Sequence, residues 1–410
     1  MRWMNLTSMD EALQIIENSF QPITVPEVLP LEAAGGRILA EDVIGAEDVP
    51  GFSRSTVDGY ALRAEETRTA RENAKALFRS AGPVRMGAPA SAIQPGECSY
   101  VPTGGMLPIG ADAVVMVEYT EDCDGSVAVY RPVAPGENCL FRGEDLRMEQ
   151  VALAKGQPLR ASEIGILASL GCVRVKVYRR PRVAVFSSGD ELVPAGTQSL
   201  APGQVRDSNG PALTYQARQL GATARYLGIL SDDRADFESK LDSALQQADL
   251  VILSGGSSVG THDYTPDAFR KLAGGRLLME GLAIQPGKPT LLANADGKAL
   301  LGLPGHPVSA LSVFALLGKA LLRRLSGAAA IDLGDPYWEA VLSRNVPSRP
   351  GRLELVRVKL DPAGETLAAT PVFGRSGLLH TLARADGMIR IEPDCDGLTA
   401  GTKIRVYPWR

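Results

Sequence analysis

LVILSGGSSVGTHDY, residues 250–264, begins as an apolar run and breaks abruptly into glycines, hydroxyls and a carboxylate. A short unbroken aliphatic run closed by turn formers is the pattern of a strand buried on both faces. The same grammar surrounds it: runs at 183–187, 224–229 and 299–303 read as strands, with helical patterns at 211–220, at 234–247 and from 308 onward. Strands alternating with helices predict a doubly wound, mostly parallel sheet covered on both faces. In such a sheet ligands bind beyond the carboxyl ends of the strands, so the residues after each strand carry the functional reading. Here they are SSGDEL (187–192), SDD (231–233), SGGSSVGTHDY (254–264) and GLPGHPVSA (302–310).

Either side of this region the pattern changes. Ser8 with Glu11 forms a capping box ahead of Ala12, Ile15 and Ile16, so a helix opens the chain. From about 50 to 132 short β-rich runs, such as 113–119 and 127–130, alternate with Gly and Pro turns and read as a small β module. A helix after Ser162, with Ile164, Leu167 and Ala168 on one face, leads to an alternating strand at 173–178. Beyond Pro336 the runs 338–342, 353–360, 388–391 and 403–407 are strand-like and helix-poor, which predicts a C-terminal β domain.

A chain of 410 residues exceeds one ordinary core and divides into about three domains on length alone. With 45% hydrophobic and 22% charged residues it has the composition of a folded soluble protein rather than a disordered or fibrous one. Its net charge of -4 is spread without a basic stripe, which argues against nucleic acid and anionic membrane as partners. No export leader is read at the N-terminus, and the most apolar stretch, 308–322, is interrupted by Ser309, Ser312 and Lys319 and too short for a membrane span. Five isolated cysteines without a CxxC pair fit a reducing compartment, so the expected location is the cytoplasm. Only three histidines occur, none at zinc-ligand spacing, which leaves the chemistry to carboxylates, lysine and loops.

Gly255, Gly256 and Gly260 permit tight turning with exposed N–H groups, and Ser257 and Ser258 add hydroxyl donors. That combination suits a phosphate or another tetrahedral oxyanion. Asp190, Glu191, Asp232 and Asp263 would repel such a ligand unaided, but together they predict Mg²⁺, a hard cation that bridges phosphates. Ser187, Gly189 and Ser254, with Pro304, Gly305, Pro307 and Ser309, belong to the same expected substrate edge. Each element alone has a plainer reading: a glycine loop is a turn, an Asp near a helix start is an N-cap, and IQPGKP (284–289) is a rigid turn with a solvated Lys288. Their concentration at strand ends favours the functional reading. His306 reads as a turn residue, for it has no companion histidine or nucleophile. Two loops lie outside the sheet: in PGFSRSTVDGYA (50–61) Asp58 is either an Asx-turn residue or a site residue, and in PTGGMLPIGADAVVMVE (102–118) Thr103 is open in the same way.

FSRSTVDGYA, PTGG followed by GADAVVMVE, RGEDL (142–146), SSGDEL, DSN (207–209), SGGSSVG with THDY, PGKP and GLPGHPVSA form an ordered series over nearly the whole chain. In that series the sequence resembles the MoeA family of molybdopterin molybdenumtransferases, which includes the E domain of gephyrin. The resemblance implies an elongated four-domain subunit: 1–45 with 146–178 as a discontinuous N-terminal helical and extended domain, 46–145 as an inserted β-rich module, 179–328 as an α/β molybdopterin-binding domain similar to the pterin-adenylylating enzymes, and 329–410 as a C-terminal β domain. It also implies a homodimer in which the module of one subunit faces the α/β domain of the other, and a contact with the pterin-adenylylating enzyme. Adenylylated molybdopterin and molybdate are then the implied substrates, with AMP released with the help of Mg²⁺ held by Asp232 and Asp263. By motif position Asp58, Thr103, Asp145, Glu191, Asp232, Asp263 and Lys288 carry over as functional, joined by Arg352 and Ser376 of the C-terminal domain. The chain departs from the family pattern at Gln285, where Lys is frequent, at His306, where Asn is frequent, and at Ser257, where Val or Thr is usual. Two other readings stand beside this one: adenylylation of molybdopterin from ATP by the α/β domain, and a scaffold that binds molybdopterin without catalysis. The long β-rich flanks argue against the first. Whether molybdenum or tungsten is the metal is not written in the sequence.

Overall fold

The computed structural model describes residues 6–231, 233–255, 265–272, 274, 276–328 and 335–409. At its centre is a six-stranded sheet built from β1 (Arg182–Ser188), β2 (Thr223–Leu230), β3 (Leu250–Ser254), β4 (Leu277–Glu280), β5 (Leu291–Ala295) and β6 (Lys298–Leu303), in the order β2-β1-β3-β6-β5-β4. The pairs β2–β1, β1–β3 and β3–β6 are parallel, and β6–β5 and β5–β4 are antiparallel. The sheet is therefore mostly parallel, as expected, but ends in an antiparallel pair that the pattern reading missed. The connection between β5 and β6 is made by Asp296 (φ 50) and Gly297 (φ 84), two successive left-handed residues that give the tight turn a hairpin needs.

Alternation along the strands explains why both faces fill. Leu250 and Ile252 pack with Val183, Val185, Leu213, Val308 and Phe314 on one side. Val251 and Leu253 pack with Ala184, Phe186, Phe237, Leu241 and Phe269 on the other. Successive side chains of a strand point to opposite faces, so a sheet buried on both sides must be apolar at every position, as LVIL is. The helices Asn209–Gln219 and Pro307–Val313 cover the first face together with the N-terminal helix Met9–Ser19, while Arg234–Gln247 and Thr265–Leu272 cover the second. Met9–Ser19 opens with the expected capping box: the Ser8 hydroxyl accepts the Glu11 N–H at 3.2 Å and the Glu11 carboxylate accepts the Ser8 N–H at 2.8 Å.

The apolar stretch after residue 306 is a helix buried on all sides at its start. Every residue from Val308 to Val313 is buried, and the helix continues through a π-helical turn, Phe314–Gly318, into Lys319–Ser326. Gly318 is required there, because a Cβ would sit 2.1 Å from Cδ2 of the Phe314 ring. Among the described residues no helix is long and apolar enough to cross a membrane.

Chain on both sides of the β-rich module pairs with itself. Pro26–Pro30 runs antiparallel to Arg174–Tyr178, and Val43–Ile44 to Val151–Leu153. Between them the helix Ala161–Ser169 buries Leu167, whereas Ala168, expected on the same face, is exposed and Leu170 is buried instead. The module has its own six-stranded sheet around Leu62, Phe78, Val115 and Val127.

The C-terminal strands Trp338–Leu342, Leu353–Ala363, Thr366–Pro371, Gly387–Ile391 and Lys403–Pro408 close into a five-stranded barrel, since Leu353–Ala363 pairs with both Thr366–Pro371 and Gly387–Ile391. A short sixth strand, Ile284–Gln285, joins the barrel edge parallel to Leu353–Glu354. Leu353, Leu355, Leu382 and Met388 lie in the same core as the first face of the α/β sheet, which fastens the barrel to it.

Candidate functional site

The carboxyl ends of β1, β3 and β6 finish level with one another: Ser187 is opposite Ser254, and Ser254 is opposite Leu303. The ends of β3 and β6 are tied together by one side chain. Asn209, 7% exposed, donates through Nδ2 to Ser254 Oγ at 2.8 Å and to the Gly305 carbonyl at 2.7 Å. Ser254 Oγ in turn donates to the Pro304 carbonyl at 3.3 Å.

Asn209 is held by its neighbour. The Asp207 carboxylate, 3% exposed, accepts the N–H groups of Asn209 and Gly210 at 3.0 and 3.2 Å and the Tyr226 hydroxyl at 2.7 Å. Burial and the hydrogen bond to Asp207 push the Tyr226 phenol well above its ordinary value. Gly210 is where the ring passes, for a Cβ would lie 2.2 Å from Tyr226 Cε2. The motif DSN is thus a hub that fixes two other loops. The sequence reading quoted DSN without giving it a role; its signal was a short polar run immediately before a helix pattern.

Gly255 continues the convergence. Its N–H donates to the Leu303 carbonyl at 3.0 Å, its φ is +99°, and a Cβ would meet the Ser188 carbonyl oxygen at 2.1 Å. Glycine alone brings the backbone of this loop against the end of β1. Two polar atoms at this edge are buried without a partner, Ser187 Oγ and Asn209 Oδ1. Buried polar atoms are rarely left unsatisfied, so both are poised for groups a ligand or water can supply.

The other expected residues fall as follows. Gly189 lies in the turn after β1, with the Glu191 carboxylate folded back over it: a Cβ at Gly189 would be 2.6 Å from Glu191 Oε2. Asp190 and Glu191 are exposed. Pro304 and Gly305 form the loop held by Asn209, Pro307 is the first residue of the helix that follows, and Ser309 is buried in it. Gly256, Ser257, Ser258, Gly260 and Asp263, and likewise Asp232, lie outside the described residues. Among the described residues no group of three or more His, Cys, Asp or Glu side chains is placed to hold a metal ion.

The Lys288 turn and Ser376 come from distant parts of the chain to the two ends of one helix, and Arg352 stands where the barrel meets the strand before that turn. The PGKP turn packs on the far end of Pro307–Val313, where a Cβ at Gly287 would lie 2.2 Å from Val313 Cγ2. The turn is pinned by two N–H groups, of Leu282 and Thr290, on the Lys288 carbonyl at 2.9 Å each, and the lysine itself is exposed. Arg352 precedes Leu353, whose N–H donates to the Ala283 carbonyl at 2.9 Å where the barrel takes up Ile284–Gln285. Ser376 sits at the near end of the helix: its carbonyl accepts the Val308 N–H at 3.1 Å and its hydroxyl is 2.9 Å from His306 Nδ1. Five residues of helix separate Val308 from Val313, roughly 7.5 Å along the axis. His306, read from sequence as a turn residue, is that and also a side-chain partner of the C-terminal domain.

In the module, the Asp58 carboxylate accepts both the N–H and the hydroxyl of Thr103, at 2.7 and 3.1 Å, so these two expected residues form one exposed unit. Asp145 is exposed, its N–H on the Val49 carbonyl at 3.1 Å. Among the described residues no hydrogen bond or ion pair joins Asp58, Thr103 or Asp145 to the strand-end loops of the same chain.

Comparison with known proteins agrees with this layout. Family models describe residues 7–171 as a MoeA N-terminal region (domain I and II), 184–324 as a probable molybdopterin binding domain and 339–409 as a MoeA C-terminal region (domain IV). The chain is 34% identical over 390 residues to a molybdopterin molybdenumtransferase of Haemophilus influenzae, covering 94% of each. It is 31% identical to one of Staphylococcus aureus over 97% of this chain and 94% of that one. A crystal structure of the molybdopterin biosynthesis moeA protein from Pyrococcus horikoshii superposes with a TM-score of 0.84 at 30% identity, covering 98% of this chain and all of that one.

Proposed function

The chain belongs to the MoeA family, and from that membership we propose its reaction: insertion of molybdenum from molybdate into adenylylated molybdopterin, with release of AMP. The observation that carries the reading is the junction at Asn209, which draws the ends of β3 and β6 into one polar edge, with the end of β1 against it through Gly255. An extended anionic substrate needs donors gathered in this way along the carboxyl ends of a sheet. The pterin lies along that edge, where Ser187 Oγ and Asn209 Oδ1 accept its N–H groups, and the glycine- and serine-rich sequence SGGSSVG (254–260) has the composition that binds its phosphates.

Molybdate binds beside it, between Lys288, Arg352 and Ser376, two cations and a hydroxyl carried by segments that meet at the helix Pro307–Val313 and at the adjoining barrel edge. The positive charges hold the dianion against the dithiolene, and positioning supplies much of the acceleration. Both Mo–S bonds form as one oxo ligand leaves with the two thiol protons as water, so the metal keeps its oxidation state. Water cleaves the phosphoanhydride, and no enzyme nucleophile is needed.

Asp232 and Asp263 belong to the stretches of sequence that leave β2 and β3, and their hard oxygen donors would suit Mg²⁺. When bound, the ion neutralises charge on the phosphates. Asp58, Thr103 and Asp145 reach the edge from the module of a second subunit in a homodimer; their exposure and, among the described residues, their lack of bonds to their own strand-end loops support that arrangement.

Purified protein incubated with adenylylated molybdopterin, molybdate and Mg²⁺ should release AMP and yield cofactor that reconstitutes a molybdoenzyme. AMP release no faster than in buffer would overturn the reading, and pyrophosphate release from ATP with free molybdopterin would replace it with the adenylyltransferase.

A further inference from the structure

We propose that His306 is a positioning residue that turns the Ser376 hydroxyl into a donor for the bound oxyanion; this rests on the reading of Ser376 as a molybdate contact. The two residues belong to different domains, yet Ser376 Oγ lies 2.9 Å from His306 Nδ1. Ser376 is fixed by its backbone, since its carbonyl accepts the N–H of Val308, two residues beyond His306. The imidazole makes no capping bond to its own helix and so faces its partner.

Proton counting decides what the pair does. A tetrahedral oxyanion such as molybdate has acceptors only, whereas a serine hydroxyl has a single proton. If Nδ1 is bare, Ser376 donates to the imidazole and turns lone pairs toward the anion, which repels it. If Nδ1 carries the proton, the ring donates to Ser376 Oγ, and the hydroxyl proton is left for the oxyanion. Anion binding at Ser376 therefore requires the tautomer with Nδ1–H, and the bound anion in turn stabilises that tautomer. The role lies in the direction of one hydroxyl, and it requires no charge on the ring.

The test uses the full-length chain. His306→Ala should raise the KM for molybdate about three- to tenfold, the worth of one oriented hydrogen bond, with kcat changed less than about twofold. His306→Asn, whose amide N–H can also donate to Ser376 Oγ, should recover most of the loss. Ser376→Ala should match His306→Ala, and the double variant should be no worse than either alone. If Ser376→Ala raises KM and His306→Ala does not, His306 has no positioning role while the molybdate site stands. If Ser376→Ala also leaves KM unchanged, the assignment of Ser376 itself fails. A readout independent of turnover is the ¹⁵N spectrum of histidine-labelled parent protein, assigned with His306→Asn. Addition of molybdate should give His306 Nδ1 the shift of a protonated nitrogen, and a bare Nδ1 in the molybdate complex overturns the proposal.

Discussion

Replacing Asn209 by Asp tests the hub at the strand ends with almost no change of shape. The carboxylate keeps the size of the amide but has no N–H, so the bond to the Gly305 carbonyl is lost and Ser254 Oγ can only donate to it. The lost bond costs about 1 kcal/mol. The larger effect is electrostatic, because the site is 7% exposed and Asp207, two residues away, is a buried carboxylate already. Burial and a like charge both raise the pKa of the new group in the folded state. A rise of about two units above the unfolded value near 3.9 costs about 3 kcal/mol at neutral pH. For a raised folded pKa the penalty is absent below about 3.9, grows as pH climbs through the folded pKa and is constant above it. The sum, about 4 kcal/mol, lowers the melting temperature of an α/β domain of this size by roughly 8–16 °C. Calorimetric scans at pH 8 and pH 5 check both the size and the sign: the electrostatic part should fall to about half by pH 5. A variant that melts within about 2 °C of the parent at pH 8, or one whose deficit is the same at both pH values, would show that Asn209 does not hold these loops together.

Tyr226→Phe removes one of the three donors to the buried Asp207 carboxylate and should cost about 1.5–3 kcal/mol at pH 7, read from denaturant midpoints. The Tyr226 phenol is raised above its ordinary value of 10.0 when folded, so the parent loses stability as pH rises past that value and toward the folded pKa; in the phenylalanine variant this part of the alkaline slope should vanish. Gly255→Ala places a methyl group 2.1 Å from the Ser188 carbonyl oxygen at φ +99°, and strain plus displacement of about 2–5 kcal/mol should appear as a lower melting temperature together with lost AMP release. Asp58→Ala breaks only exposed bonds to Thr103, so melting should shift by less than about 3 °C while AMP release falls at least tenfold; equal activity would remove the module from the site.

Local chemistry made the strand ends legible, and distance in sequence hid what surrounds them. LVIL reads as a doubly buried strand because each residue must face an apolar layer, and β3 falls where the pattern put it, at Leu250–Ser254. The glycines and hydroxyls after it read as a ligand edge for an equally local reason: a backbone without Cβ can turn its N–H groups outward. β4 and β5 escaped because no helix crossover leads into them: both pair antiparallel, and β5 turns directly into β6 through Asp296–Gly297. The packing of the segments that carry Lys288, Arg352 and Ser376 lies beyond any window of periodicity. It follows from two residues, Ile284 and Gln285, taking a place on the edge of the C-terminal barrel, and from one N–H, that of Val308, meeting a carbonyl nearly seventy residues away. Motif order pointed to these residues, whereas the pairing shows how the segments that carry them are packed on one core. The PGKP turn rests on the helix that follows β6, and the barrel rests on the same core, so the two polar edges are built on one rigid element. A change in the core under that helix, at Val313 or Phe314, should therefore disturb the lysine turn and the serine loop together, whereas a change at Asn209 should loosen the strand-end loops first.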